Sequence, residues 1–179
     1  MGLNPKDIET ISPAGKSPDY NLVFSSIIPP TKEVALPLTL LTNDTVPVRV
    51  YSDGSGYEGG IGASACLYIN DHLARSLRFY LGTSQEHTVY EVEGVGLILG
   101  LHLLHSLTRQ LTHPTILGTN SQAVIRALSN QCPHSGHYLL DTIHLAAEQL
   151  HAKQDSIINR AKHNQVLKAE RCGKVIRGG

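Results

Sequence analysis

Two carboxylates stand at positions where the fold could bring them together. Asp53 ends the run VPVRVYS, whose alternating pattern predicts a strand, and a glycine-rich segment follows it. Glu93 lies near the start of a long apolar helical pattern that opens at Thr88. If this helix crosses the sheet near the end of the first strand, Glu93 can approach Asp53. Carboxylates displayed in this way could serve as ligands for a metal ion.

The glycine-rich segment also admits a second interpretation. Gly54, Gly56 and Gly59 spell G-x-G-x-x-G, the pattern of a dinucleotide-binding loop. In such a loop the third glycine opens a helix whose N-terminus faces the pyrophosphate. Here the glycines lead into IGASACLYI, which alternates as a strand does. We therefore predict a glycine turn between two strands that displays Asp53. A small nucleotide-binding domain is the least favoured alternative.

The helix carries a second glutamate, but the two glutamates cannot share one site. Glu91 and Glu93 are two residues apart and point to different sides of the helix. Glu93 shares a face with Leu97 and is predicted to face the sheet. Glu91 is predicted only to interact favourably with the positive N-terminus of the helix, without a role in chemistry. Gly94 and Gly96 are predicted to ease the close approach of the helix to the sheet, since they lack side chains.

The order of elements predicts a mixed sheet with helices packed on it. The first three strands are expected to form an antiparallel meander, and a fourth strand follows the long helix. The predicted strands cover residues 46–53, 61–69, 73–81 and 115–118, and the predicted helices cover 88–111, 121–128 and 138 to about 150.

Composition limits the class of protein. The chain has 179 residues and no net charge, which suits one domain plus a tail and gives no global signal for nucleic acid or membranes. Its three cysteines form no C-x-x-C pair and are expected to be reduced thiols. The N-terminus lacks a signal-peptide pattern, and the apolar region 95–104 is too short to span a bilayer. An intracellular protein, cytoplasmic or nuclear, is expected.

Residues 1–45 hold six of the nine prolines. Proline fixes φ and removes a backbone donor, so this segment is predicted to be extended and largely irregular. Its apolar run VALPLTLL could dock on the domain. We interpret residues 1–45 as a linker or bracing segment.

Three separated motifs resemble those of one family. DGSG after the first strand, VYEVEGVGLILGLHLL on the first helix and GTNSQAVIRAL after the fourth strand are similar to the motifs of a type 1 ribonuclease H (RNase H) domain. The closest resemblance is to the RNase H domains of fungal retroelement reverse-transcriptase polyproteins. It runs over about 48–165 and implies an α/β, RNase H-like fold: three antiparallel strands and a parallel fourth, flanked by helices. It places the domain at 46–165.

The resemblance also implies a reaction and a site. Type 1 RNases H hydrolyse the RNA strand of RNA–DNA hybrids with Mg²⁺, so the implied partners are such hybrids or other nucleic acids, and neighbouring polyprotein domains. Asp53 and Glu93 match two acidic residues that help to hold two Mg²⁺ ions. The third acidic position is held here by Asn120. An amide oxygen can bind Mg²⁺ but brings no charge, so we expect metal binding and catalysis to be impaired. Asn120 is also expected to cap the helix that follows it.

Substrate contacts are expected beside the metal ligands. The backbone around Gly54, Ser55 and Gly56 could bind phosphate oxygens, and Gln122 could reach the minor groove of a hybrid. Weaker candidates for phosphate contact are three histidines, His87, His134 and His137. His102 and His105 have a spacing that could bind metal, but packing or surface roles are favoured for them.

The C-terminal part departs from the family. The fifth strand, the histidine loop and the final helix with a fourth aspartate are not found after residue 159, and 166–179 is predicted to be a basic tail. The fourth strand is then expected to be an exposed edge. The alternative to a weakened nuclease is a non-catalytic nucleic-acid or protein interaction module that kept the fold.

Overall fold

The computed structural model of the protein describes residues 19–107, 115–130, 136–158 and 174–176. The strands are β1 (Ser25–Ile27), β2 (Val48–Tyr57), β3 (Gly60–Ile69), β4 (His72–Thr83), β5 (Thr115–Thr119) and β6 (Lys174–Ile176). The helices are α1 (Lys32–Thr45), α2 (Val89–His105), α3 (Gln122–Ala127) and α4 (His137–Ile158). None of the helices in the described ranges is long and apolar enough to cross a membrane.

One mixed sheet forms the centre of the fold, in the order β1-β6-β5-β2-β3-β4. The strands β2, β3 and β4 form an antiparallel meander, and β5 pairs with β2 in parallel. The predicted α/β class, with three antiparallel strands and a parallel fourth, is therefore confirmed.

The hairpin between β2 and β3 turns later than predicted. Gly54 and Gly56 lie within β2, paired with β3, so they do not form the turn. The chain reverses at Glu58-Gly59, where φ is 47° and 79°. Two consecutive positive φ angles are typical of a tight type I′ hairpin turn, and glycine adopts them without strain. The chain reverses again at Asn70-Asp71, between the strands predicted over 61–69 and 73–81, with positive φ at both residues.

Helix α2 packs directly on the sheet because glycine lets it come close. A Cβ placed on Gly100 would lie 2.5 Å from Cδ1 of Leu117 and 3.0 Å from Cγ1 of Val50, so a larger residue there would have to displace these side chains. Around this contact the sheet, α2, α3 and α4 share one apolar core. The helix ends at His105 with Ser106 as its C-cap, earlier than the predicted end at residue 111.

The N-terminal segment was predicted to be extended and largely irregular, but part of it is helical. Residues 32–45 form α1, with Pro37 inside it and the proline pair 29–30 just before it. A proline removes one backbone donor, but the Leu-rich remainder of the segment favours a helix. The hydroxyl of Thr39 also donates to the carbonyl of Ala35 at 2.9 Å. The prediction of an irregular segment is therefore wrong for α1. Residues 1–18 lie outside the described residues.

The prediction that the fourth strand is an exposed edge is also wrong. Within the expected basic tail, β6 pairs in parallel with β5, and β1 pairs in parallel with β6. β6 is short, but its residues Val175 and Ile176 are β-branched and suit a strand. The open edge of β5 also offers unpaired backbone groups with which β6 can pair. A fifth strand beside β5 is therefore present. The domain boundaries and the absence of a final helix stay predictions.

A capping box fixes the start of α2. The backbone N–H of Glu91 donates to the Thr88 hydroxyl at 3.2 Å, and the Thr88 N–H donates to the Glu91 carboxylate at 2.7 Å. Thr88→Ala is expected to lower the free energy of unfolding by about 1 kcal/mol, because the helix loses one partner for its free N–H groups. Urea unfolding measures this. Thr88→Ser, the matched control, should unfold like the parent, and an unchanged Thr88→Ala variant would contradict a role for the cap.

Candidate active site

The parallel pairing of β2 with β5 brings Asp53 and Asn120 together, although Asp53 lies within β2 and does not end it as predicted. The last residues that pair between these two strands are Ser52 and Thr119, so Asp53 and Asn120 come next, side by side. The side-chain amide of Asn120 donates to Oδ1 of Asp53 at 2.9 Å. Both side chains are exposed to solvent. The first and third positions implied by the family resemblance are thus in direct contact.

Glu93 reaches the same place from α2. Its side chain is 6% exposed, and it accepts hydrogen bonds from the backbone N–H of Gly54 and the side chain of Thr119. Burial raises the pKa of Glu93, the nearby charge of Asp53 raises it further, and the two hydrogen bonds lower it. Its Oε2 atom is buried and has no hydrogen-bond partner among the described residues.

Two glycines let α2 and β2 approach closely enough for this contact. A Cβ on Gly96 would lie 3.4 Å from Cβ of Ser52 and 3.5 Å from the carbonyl oxygen of Asp53. A Cβ on Gly54 would lie 2.7 Å from Cγ1 of Val92 and 3.1 Å from the backbone nitrogen of Glu93. Gly54 is therefore required by the packing of the helix on the strand.

Gly94 was also predicted to face the sheet, and that prediction is wrong. A Cβ on Gly94 would lie 3.1 Å from Cδ1 of Leu139, which belongs to α4. Two positions along a helix rotate a residue by about half a turn, so Gly94 and Gly96 face different neighbours. Gly94 serves the contact between α2 and α4.

Asn120 does not cap α3. The N-cap is Ser121, whose hydroxyl accepts from the backbone N–H of Val124 at 3.4 Å. The exposed Asn120 side chain turns to Asp53 instead, because a carboxylate is a stronger acceptor for an amide N–H than water. At this point of the site an uncharged donor stands where the family resemblance implies a third carboxylate.

The oxygen atoms at this edge could hold a divalent cation, but weakly. Carboxylate and amide oxygens are suitable ligands for Mg²⁺, and the unpartnered Oε2 of Glu93 fits a cation-binding role. Two carboxylates supply less negative charge than two divalent ions require. The described residues contain no group of three His, Cys, Asp or Glu side chains that could hold a metal. The residues therefore fit one Mg²⁺ ion between Asp53 and Glu93 better than two.

The residues proposed for substrate contact lie around this edge with different exposure. Ser55 and Gly56 are exposed on β2, whereas Gly54 is half-buried and its N–H is engaged with Glu93. Gln122 is the first residue of α3 and is half-buried. Their contacts with a nucleic acid stay predictions.

The histidines take other positions. His137 Nε2 is hydrogen-bonded to the Tyr20 hydroxyl at 2.5 Å, so this ring is engaged with the N-terminal segment. Nδ1 of His87 lies 3.9 Å from the Glu91 carboxylate. The exposed side chains of His102 and His105 fit the predicted surface role, and His134 lies outside the described residues.

Thr119 is a site residue that the sequence did not reveal. The predicted strand ended at Gly118, but β5 continues through Thr119, which is buried. Leu117 packs against Gly100 of α2, so the alternation of β5 turns Thr119 to the same helix and to Glu93. The pairing of Thr119 with Ser52 places Thr119 at the site, and this pairing cannot be read from the sequence.

Glu93→Gln is expected to stabilise the metal-free protein at neutral pH. The pKa of Glu93 is raised in the folded chain, so its favourable contribution is complete only below the unfolded pKa and is lost as pH rises through the folded pKa. Thermal unfolding in EDTA should show Glu93→Gln melting above the parent at neutral pH, with no such advantage below pH 4.5. Glu58→Gln, in an exposed turn, is the control. A Glu93→Gln variant that melts below the parent at neutral pH would contradict this account.

Comparison with known proteins identifies the fold. No family model and no curated protein matches the chain significantly. The chain is similar to the foamy viral protease-reverse transcriptase solved in complex with an RNA/DNA hybrid, with a TM-score of 0.51 and 12% identity over 76% of this chain and 18% of the viral chain. It is also similar to RNase H1 from the halophilic archaeon Halobacterium salinarum NRC-1, with a TM-score of 0.45 and 19% identity over 60% of this chain and 79% of that one.

A third similar structure is LC11-RNase H1 in complex with an RNA/DNA hybrid, with a TM-score of 0.43 and 15% identity over 73% of this chain and 83% of that one. The mixed order β4-β3-β2-β5, with β2 and β5 parallel, together with the likeness to the viral protein, defines an RNase H-like fold. At these identities the likeness concerns the fold.

Proposed function

We propose that the protein is an RNase H-like domain of type 1 that binds RNA–DNA hybrids and has an impaired, Mg²⁺-dependent capacity to hydrolyse the RNA strand. The observation that carries this proposal is the juxtaposition of Asp53, Glu93 and Asn120 where the pairing of β2 with β5 ends, with the Asn120 amide bonded to Asp53. An RNase H-like fold supports a nucleic-acid partner of this kind.

The site residues have distinct roles in the proposed reaction. When bound, Mg²⁺ supplies charge stabilisation at the scissile phosphate. Asp53 and Glu93 hold the cation, and the N–H of Gly54 and the side chain of Thr119 orient the Glu93 carboxylate. Asn120 lowers the negative charge of the site by one relative to an aspartate there, so the affinity for the cation and the rate of hydrolysis should both be low.

The family resemblance supports a retroelement origin for this domain. Under this proposal its partners are RNA–DNA hybrids and the neighbouring domains of a reverse-transcriptase polyprotein. The foamy viral protease-reverse transcriptase, which shares the fold, was solved with an RNA/DNA hybrid.

Hybrid binding and hybrid cleavage test the proposal together. The parent should bind an RNA–DNA hybrid more tightly than the matching DNA duplex, and in Mg²⁺ or Mn²⁺ it should cleave the RNA strand slowly. Asp53→Asn should abolish the cleavage, whereas Asp44→Asn, at an exposed position of α1, should not. Equal affinity for hybrid and duplex would contradict the proposal. Rapid turnover that disappears in Asp53→Asn would show that the remaining carboxylates suffice, and would contradict the impairment.

A non-catalytic binding module is the second candidate. The hydrogen bond from Asn120 to Asp53 favours it, because the amide stabilises the Asp53 carboxylate without any cation. No cleavage in either metal, together with hybrid binding that weakens steeply with salt, would favour this candidate.

A further inference from the structure

Two tyrosines lie next to the site, on the face of the sheet that is opposite α2. Side chains alternate along a strand, so Ser55 and Tyr57 share the face on which Asp53 lies. In the register of β2 with β3, Ser55 is opposite Gly62 and Tyr57 is opposite Gly60. In the register of β3 with β4, Gly62 is opposite Tyr80. This face therefore has two tyrosines with two glycines between them.

Both tyrosines are largely exposed, and one of them lies across the glycines. Tyr57 is 79% and Tyr80 is 68% exposed. A Cβ placed on Gly60 would lie 3.0 Å from Cε2 of the Tyr80 ring and 3.4 Å from its hydroxyl, so this ring lies over the backbone of Gly60. We call the surface made by Tyr57, Gly60, Gly62 and Tyr80 the tyrosine shelf.

The shelf is continuous with the site and has one cationic group beside it. Asp53, Ser64 and Arg78 are opposite one another on β2, β3 and β4. Arg78 is therefore on the same face of the sheet as Asp53, two residues before Tyr80 of the shelf. Tyr57 is four residues beyond Asp53 on the same strand, a distance of about 13 Å, which corresponds to a few nucleotides of a bound strand.

We propose that the tyrosine shelf binds unpaired bases of a single-stranded extension that runs on from the hybrid, an inference that rests on the proposed function. Exposed aromatic rings stack on bases of any sequence. Because Gly60 has no side chain, the Tyr80 ring can lie over the strand next to Tyr57, and Arg78 can contact a phosphate. Glu58 in the adjacent turn offsets part of that positive charge, so stacking supplies most of the binding.

Overhang binding tests the shelf directly. Fluorescence anisotropy would compare a blunt RNA–DNA hybrid with the same hybrid carrying an unpaired extension of a few nucleotides, placed at each end in turn. In the parent, one of the extensions should tighten binding by about fivefold to a hundredfold for each stacked base. In the double variant Tyr57→Ala, Tyr80→Ala this gain should disappear while the affinity for the blunt hybrid stays unchanged.

A matched control comes from the same strand. Phe79 is 54% exposed, but it is opposite Ala63 and therefore on the other face of the sheet. Phe79→Ala removes an exposed ring next to Tyr80 without touching the shelf, so it should keep the gain from the extension. Circular dichroism would confirm that all variants are folded.

The outcomes separate the shelf from the proposed function. Suppose that the blunt hybrid binds but no extension tightens binding, or that the tyrosine variants keep the gain in affinity from the extension. The proposed role of the shelf is then wrong, and the proposed function stands. If the hybrid does not bind but a single strand binds through the tyrosines, the shelf is a binding site for single strands and the proposed function is wrong. If no nucleic acid binds, both fail, and a protein partner becomes the occupant to test.

Discussion

Asn120→Asp is expected to make the stability of the protein depend on a divalent cation. The substitution removes the hydrogen bond to Asp53 and puts a third negative charge beside Asp53 and Glu93. Without metal, the free energy of unfolding should fall by about 1–3 kcal/mol, because like charges are held together and a bond is lost. Mg²⁺ at about a hundred times its dissociation constant should restore about 2.7 kcal/mol. Thermal unfolding in EDTA and in Mg²⁺ measures both effects.

The control for this substitution is Asn70→Asp. Asn70 is exposed in the turn between β3 and β4, six residues beyond Ser64, which is opposite Asp53, and an aspartate tolerates its positive φ. Its stability should not depend on Mg²⁺. The same Mg²⁺ response in Asn70→Asp and Asn120→Asp would contradict a metal site at Asn120. Asn120→Asp should also cleave hybrids at least tenfold faster than the parent. Full activity from this change alone would show that no further C-terminal element is needed.

Gly54→Ala is expected to separate the two carboxylates. The new Cβ would meet Cγ1 of Val92 at 2.7 Å and the backbone of α2 at 3.1 Å, so the helix must shift away from β2. Overpacking of this kind costs about 1–3 kcal/mol of stability. Because Glu93 moves with the helix, its hydrogen bond with the Gly54 N–H lengthens and metal binding should be lost. Urea unfolding and Mg²⁺ titration measure the two effects.

Gly56→Ala is the matched control for Gly54→Ala. It adds the same methyl group two residues further along β2 and on the same face. There the nearest atom is Cγ2 of Ile61 at 3.4 Å, which is close to ordinary contact. Gly56→Ala should keep both stability and metal binding. If the two variants behave alike, close packing at Gly54 does not position Glu93.

The core of the fold and the acidic positions were predictable because their signals are local. The alternation of β2 and β3 and the helical period of α2 are present in short windows of sequence. The same period separated Glu91, which caps α2, from Glu93, which faces the sheet. The assignment of Asn120 to the same site as Asp53 came from the family resemblance, and in the structure the β2–β5 pairing ends just before both residues.

The features that the sequence missed depend on contacts between distant residues. β6 is three residues long and exists through pairing with β5 and β1. The proline-containing helix α1 contradicts a local rule, because a single proline weighs less than the helix-forming residues around it. Asn120 was expected to cap α3, but the nearby Asp53, 67 positions away in the chain, is the acceptor for its amide.

Calorimetric titration of Mg²⁺ into the parent and into Asp53→Asn tests whether Asp53 holds a weakly bound cation. We expect one weak site in the parent, with a dissociation constant that is roughly millimolar, and no site in Asp53→Asn. The same affinity in Asp53→Asn and the parent would show that the metal binds elsewhere. Two tight sites in the parent would contradict the conclusion that Asn120 weakens the site.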